Sequence, residues 1–343
     1  MLSVTQRVSE VVQPYGGYLP VKAFQQISYD DGFLLTEENI SAGLIGMAVD
    51  YLSRFMLGES LEKAFEISLA GARMIGESVT ANRLLKKIRG IDDTSIVAAC
   101  QLTGYDVCFR SSAAWYKPVN LIQPDDCTIK NIRVMVKRVF DFFDEVAYGP
   151  IIDSGITFEG GYTDTISFGD GDYLTAEAIW DVKTNKCKPT SKHTLQILVY
   201  YLMGLNSIHY QKYQRLKYLG IFNPRLNCSY LIKIESIPSK VIDDVLFGVI
   251  GYSEGKHRLN NYFYSVSEVA RMLGLSKKEI RQCSDDGMLN AIKRGNSYVY
   301  PKEEFDAFVD YMYRKQKRQK NIKKIGFVAI VFVVLLLWYY IIR

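Results

Sequence analysis

The chain has only three histidines, and none of its six cysteines forms a CxxC pair. Cys100, Cys108, Cys127, Cys187, Cys228 and Cys283 are scattered. That spacing argues against a structural zinc site and suits small core residues in a reducing compartment. No apolar leader follows Met1, so no signal peptide is read. Gly16, Gly17 and Gly58 fit no phosphate-binding loop. A global basic surface is lacking too. The formal charge is +5, but seven basic and no acidic residues lie between Arg314 and Lys324. With those seven and Arg343 set aside, the remainder carries −3. Any nucleic-acid surface must therefore be local.

What is present begins with apolar mass. Over 343 residues, 48% are hydrophobic and 13% aromatic, enough for a sizeable core and about two domains. Ile325 to Ile342 is an uncharged run of eighteen residues, which as a helix would span about 27 Å. Trp338, Tyr339 and Tyr340 suit one interface, and the basic run before Ile325 suits the cytoplasmic one. The expectation is a single-pass transmembrane helix over 325–342. It would hold the N-terminal body in the cytoplasm as a tail-anchored protein, with the lipid bilayer as a partner.

Residues 1–125 read as a mostly helical region of unknown role, clearest over Ser41–Phe65 and Ser95–Phe109, with Asn39 and Asp93 as candidate caps. Residues 126–255 read as an α/β unit. An amphipathic helix over 128–147 stops at Gly149-Pro150, and strand-favouring residues run on to about 183. A helix follows over 193–204 and continues as polar helix to about Leu219. Gly220 to Ile234 then reads as strands broken at Pro224. A polar stretch over 251–261 leads to a small unit at 262–314.

The chemistry concentrates between Gly169 and Lys183. Read as a hairpin turning at Ala176-Glu177, this segment sets Asp172 opposite Asp181 and Asp170 opposite Lys183. Ile179 and Val182 are expected on the opposite, packed face. Apposed carboxylates repel unless a cation lies between them. Mg²⁺, or Mn²⁺, accepts such oxygen ligands and polarises a phosphate and its attacking water. Lys183 is placed to orient that water or offset charge on the phosphate. Solvated acids on a surface hairpin are the bland alternative.

Asp172 followed by Asp181-Val182-Lys183 resembles the motif of the PD-(D/E)XK nuclease superfamily. Gly169 with Asp172 looks like the GxxD form of its RecB-like branch, and Gln196 with Tyr200 looks like that branch's QxxxY helix motif. The match covers about residues 128–234. The resemblance implies a restriction-endonuclease-like mixed sheet flanked by helices. Asp172, Asp181 and the Val182 carbonyl would be metal ligands, Lys183 catalytic, and Gln196 and Tyr200 positioning groups. Two features depart from the pattern. The Asp172–Asp181 spacing is short, leaving Asp170 as an alternative ligand, and the residue after Gly169 is acidic where the family usually has an apolar one. The upstream acid often found in the family could be Glu145 or Glu159, the latter expected on the strand before the hairpin. His193 could face the phosphate or simply cap its helix.

Tyr264 to Ile280 reads as helix, glycine turn, helix, with capping boxes at Ser265/Glu268 and Ser276/Glu279. A hairpin turning at Gly295-Asn296 and a helix opening at Pro301 follow. This resembles the winged helix-turn-helix of excisionase and MerR-like proteins. Lys277, Lys278 and Arg281 would lie on the recognition helix, and Lys293 and Arg294 on the wing, all within reach of DNA. Protein contact is the alternative use, since Glu279, Asp285 and Asp286 are close by.

The expected activity is that of a metal-dependent nuclease acting on DNA at the cytoplasmic membrane face, in a role such as defence against foreign DNA. A membrane-anchored DNA-binding regulator with an inactive nuclease-like core is the competing expectation, and a toxin-like effector a third. Whether the chain forms a homodimer is left open.

Overall fold

The computed structural model describes residues 2–252, 263–294, 297–302 and 304–309. Strand β1 (Leu2–Ser3) and helix α1 (Val4–Glu10) open the chain, followed by β2 (Gln25–Ser28). Next come α2 (Ala42–Met56), α3 (Leu61–Ala64), α4 (Glu66–Met74), α5 (Ser78–Leu85), α6 (Asp93–Thr103) and α7 (Asp106–Arg110). The long α8 (Asp126–Glu145) leads to β3 (Ile151–Thr157), β4 (Ile166–Phe168), β5 (Asp170–Thr175) and β6 (Ala178–Val182). Then follow α9 (Ser191–Leu205), α10 (Tyr210–Tyr213), β7 (Tyr218–Asn223), β8 (Cys228–Lys233), α11 (Ser239–Asp243) and a π-helical turn over Asp244–Ile250.

Strands β2, β8, β7, β6, β5 and β3 form one sheet in that order. Within this sheet, among the described residues, only the β6–β7 pair is parallel, because α9 carries the chain back between them. The period of two divides the sheet residues between two cores. Leu174, Ile179, Leu219, Ile221, Tyr230 and Ile232 pack with α9 and the π-helical turn. Tyr173, Ala178, Trp180, Phe222 and Leu231 pack with α2, α6 and α8 on the other side. Ile179 therefore lies on the face of Asp181, under α9, and Val182 packs with Trp180. This corrects the expectation that Ile179 and Val182 share a face, since residues three apart on a strand point opposite ways.

The N-terminal region is helical but does not stand apart. β2 pairs with β8 at the sheet edge, and α2 shares a core with α8. The helix caps also differ from those expected. Ser41 and Asp92 cap α2 and α6 through their side chains. Asn39 instead ties its loop to Thr128 and Asp125, and Asp93 pairs with Arg133. The stretch 41–65 breaks at Gly58, whose φ of +102° favours glycine. The polar helix expected to reach Leu219 is only the short α10, since β7 begins at Tyr218.

The second unit comprises β9 (Phe263–Ser265), α12 (Val266–Leu273), α13 (Lys277–Asp285), β10 (Ile292–Arg294) and β11 (Ser297–Pro301). Its three strands pair antiparallel in the order β10-β11-β9, and residues 304–309 are helical. Among the described residues no helix is long and apolar enough to cross a membrane. The 325–342 run, the basic run before it and the Gly295-Asn296 turn lie outside the described residues.

Candidate functional site

The β5–β6 hairpin turns at Ala176-Glu177, with Tyr173 opposite Trp180 and Leu174 opposite Ile179. Beyond Tyr173 and Trp180 the regular pairing stops. There Asp172 Oδ2 accepts the Val182 N–H at 2.6 Å. Asp181 is only 1% exposed. Its Oδ1 accepts from Lys183 Nζ at 2.8 Å and from Gln196 Nε2 at 3.5 Å. Gln196 Nε2 also donates to the Tyr200 hydroxyl at 2.8 Å. The two lie one turn apart on α9, so one helix face supplies both. Asp172, Asp181, Lys183, Gln196 and Tyr200 thus converge at the end of the sheet where β5 and β6 part.

A further acid enters from the other side. Gly46 of α2 lies against Thr184, just past the end of β6: a Cβ there would come within 3.1 Å of the Thr184 hydroxyl. Asp50 follows one turn later on the same helix face. Burial pushes the Asp50 carboxyl up to about 6, with Asp170 and Glu59 adding to the rise while Arg54 and Arg110 oppose it. Asp172 is held well above the usual carboxylate range by burial, then by the charges of Asp181 and Asp50. Burial draws the Lys183 ammonium down, but Asp181 and Asp172 outweigh it and keep Lys183 protonated. The cluster therefore holds more acid than base at short range, and it is eased by protons or by an added cation.

The other candidates fall elsewhere. Asp170 is exposed at the rim, 4.0 Å from Arg110. Glu145 ends α8 and is exposed, whereas Glu159 is exposed in a turn after β3, not on a strand. The charges that act most on Asp172 and Lys183 are those of Asp181, Asp50 and one another, not of either glutamate. His193 completes a capping box, its Nδ1 accepting the Thr190 N–H at 3.0 Å. Its Nε2 lies 3.4 Å from Asn185 Nδ2. Burial and the nearby Lys183 charge lower its basicity. Asp50 and Arg110 were not reached from the sequence. The available signal was the pairing of one acid with Arg54, four residues on, inside the otherwise apolar α2.

Among the described residues no three His, Cys, Asp or Glu side chains lie close enough to cage a metal unaided. Mg²⁺ does not require such a cage, because it retains waters and is held by one or two carboxylates together with substrate phosphate. Asp181 Oδ2 is buried and has no hydrogen-bond partner among the described residues. A buried anionic oxygen left without a donor is costly, and a cation would relieve it. The Asp172 and Asp181 carboxylates thus fit a hard divalent ion.

In the second unit both capping boxes form, Ser265 with Glu268 and Ser276 with Glu279. Gly274 makes the turn at φ +65°. Ile280 and Cys283 face the small core, while Lys277, Lys278 and Arg281 are exposed on the opposite face of α13. Lys293 and Arg294 lie on β10, and their side chains fall outside the described residues. A family model described as a helix-turn-helix domain matches residues 263–310. No curated protein and no solved structure matches the chain.

Proposed function

We propose that the chain is a metal-dependent nuclease acting on DNA. The observation that carries this reading is the buried Asp181 Oδ2, unpartnered among the described residues, beside Asp172 and the Lys183 amine that reaches Asp181 Oδ1 at 2.8 Å. The order of α8, β3, β5, β6, α9 and β7 around this point supports a restriction-endonuclease-like core. Asp172, Asp181 and the Val182 carbonyl would hold Mg²⁺ or Mn²⁺, which supplies polarisation of the phosphate and of a water. Asp172 keeps the hairpin end closed through Val182. Gln196 fixes the Asp181 carboxylate and is itself steadied by Tyr200. Lys183 stays charged, so its role is to offset charge building on the phosphate; it is not a proton acceptor. The helix-turn-helix unit supports DNA as the partner, with Lys277, Lys278 and Arg281 facing phosphate and groove. The 325–342 run would tether this chemistry to a membrane.

The helix-turn-helix match also supports the second reading, a DNA-binding regulator with an inactive core. Cleavage of DNA by the full-length chain with Mg²⁺, Mn²⁺ or EDTA decides between the two. Metal-dependent cleavage lost in Asp181→Ala supports the nuclease. DNA binding without cleavage under any of these conditions supports the regulator.

A further inference from the structure

We infer that Arg110 is a phosphate-binding residue of this site, supplied by the N-terminal helical region and aimed by Asp106 and Tyr51. The inference rests on the nuclease reading and gives that region a role. Asp106 is buried in α7 at 1% exposure. It accepts from the Tyr51 hydroxyl at 2.5 Å, from the Ser68 hydroxyl, and from Arg110 Nε at 3.5 Å. Arg110 Nη2 in turn reaches the Tyr51 hydroxyl at 3.3 Å. A buried carboxylate is expensive unless it is well satisfied. Here three helices (α2, α4 and α7) satisfy one that holds the base of an arginine.

The tip of that arginine points to the acidic rim. Arg110 Nη2 lies 4.0 Å from Asp170, and its charge is felt by Asp50. The neighbouring cations are more tightly committed. Lys183 sits 2.8 Å from Asp181, and Arg54 sits 2.6 Å from Glu59 with its side chain 14% exposed. The Arg110 side chain is 44% exposed and its contacts are longer. A phosphodiester approaching a patch rich in carboxylates is repelled unless a cation meets it first. A guanidinium suits that task because its planar fork matches two phosphate oxygens. Asp170, at the rim, would hold Arg110 in place before substrate arrives.

The test uses the full-length chain with Lys277, Lys278 and Arg281 changed to Ala, so that the second unit does not carry binding. Arg110→Gln and Arg110→Lys are compared with Arg110 by titrating a labelled single-stranded oligonucleotide in Ca²⁺ at several salt concentrations, and by kcat and KM in Mg²⁺. Thermal melts check that each variant is folded. The expected result for Arg110→Gln is affinity weaker by about tenfold and a log–log salt slope shallower by about 0.7. Arg110→Lys is expected to restore the slope but not the full affinity. Cleavage with unchanged KM and slope in Arg110→Gln would overturn the inference and leave the nuclease reading standing. Neither cleavage nor Ca²⁺-dependent binding by the chain with Arg110 intact would overturn both. Binding that depends on Arg110 without cleavage would keep the phosphate contact and remove the nuclease.

Discussion

Asp172 accepts the backbone N–H of Val182 at 2.6 Å, so one carboxylate of the site fastens the strand that presents the other. This bond holds two acids together where the sheet would otherwise fray. Burial and the Asp181 and Asp50 charges favour the protonated form of Asp172. Asp172→Asn keeps an oxygen for Val182 and removes an acid whose ionisation the folded chain penalises. Without divalent metal at neutral pH it should raise the melting temperature by about 2–4 °C, the shift that ~1 kcal/mol gives in a body of this size. The same variant should lose the melting shift that Mn²⁺ gives the native chain. An unchanged or lower metal-free melting temperature would count against the repulsive pair.

The response to metal should depend on pH. The Asp50 carboxyl is raised from 3.8 to about 6 in the folded chain. The unfolded chain ionises first as pH rises, so the metal-free fold loses stability from this group between those two values. A divalent ion held by Asp172 and Asp181 adds positive charge beside Asp50, whose charge acts on Asp172, and so competes with its proton. The Mg²⁺-induced rise in melting temperature should therefore be small near about pH 5 and larger near about pH 7.5. Asp50→Asn should flatten that difference. Differential scanning fluorimetry at the two pH values reads both effects, and an equal metal response at both would contradict this account.

Arg138 ties the loop at 31–33 to the end of β7. It donates to both Asp31 oxygens at 2.6 and 2.7 Å, and to the carbonyls of Pro224, Arg225 and Phe33. Its side chain is only 6% exposed. Arg138→Ala strips donors from several acceptors at once, so chemical denaturation should show a loss of about 3 kcal/mol. The Arg138 hydrogen bonds hold the Asp31 carboxyl below its usual range. The stability from that pair is thus present above the unfolded value of 3.8 and lost as pH falls below it.

Part of this arrangement was legible in the sequence. The hairpin register followed from one turn and a period of two as far as Tyr173 and Trp180, but the expected pairs of Asp172 with Asp181 and Asp170 with Lys183 do not form, because the strands part there and Asp172 turns to the Val182 N–H. The capping boxes at Ser265 and Ser276 were visible because each needs only residues three apart. Gln196 and Tyr200 could be placed on one face from helix geometry alone. Asp50 was not legible, because it reaches the cluster through the packing of α2 past the end of β6, and no local spacing encodes that. β2 escaped notice because its residues, Gln25-Gln26-Ile27-Ser28, are mostly polar at an edge of the sheet. His193 could be read two ways, and the capping contact with Thr190 is the one observed.

In the second unit, Lys277, Lys278 and Arg281 share the exposed face of α13 while Ile280 and Cys283 anchor it. Replacing the three cations with Ala should weaken duplex binding and reduce the log–log salt slope by about 2–3, the loss expected for that many phosphate contacts. The melting temperature should stay the same. Gly274→Ala should instead lower stability by about 1 kcal/mol, because φ there is +65°. Fluorescence anisotropy and thermal melts separate the two effects.

The most direct test of the central claim is cleavage of linear and circular DNA by the full-length chain in Mg²⁺, beside Asp181→Ala and Lys183→Ala and an EDTA control. The account predicts cleavage that EDTA stops and that both variants lose while remaining folded. No cleavage by the folded native chain, or cleavage that survives in Asp181→Ala, would contradict it.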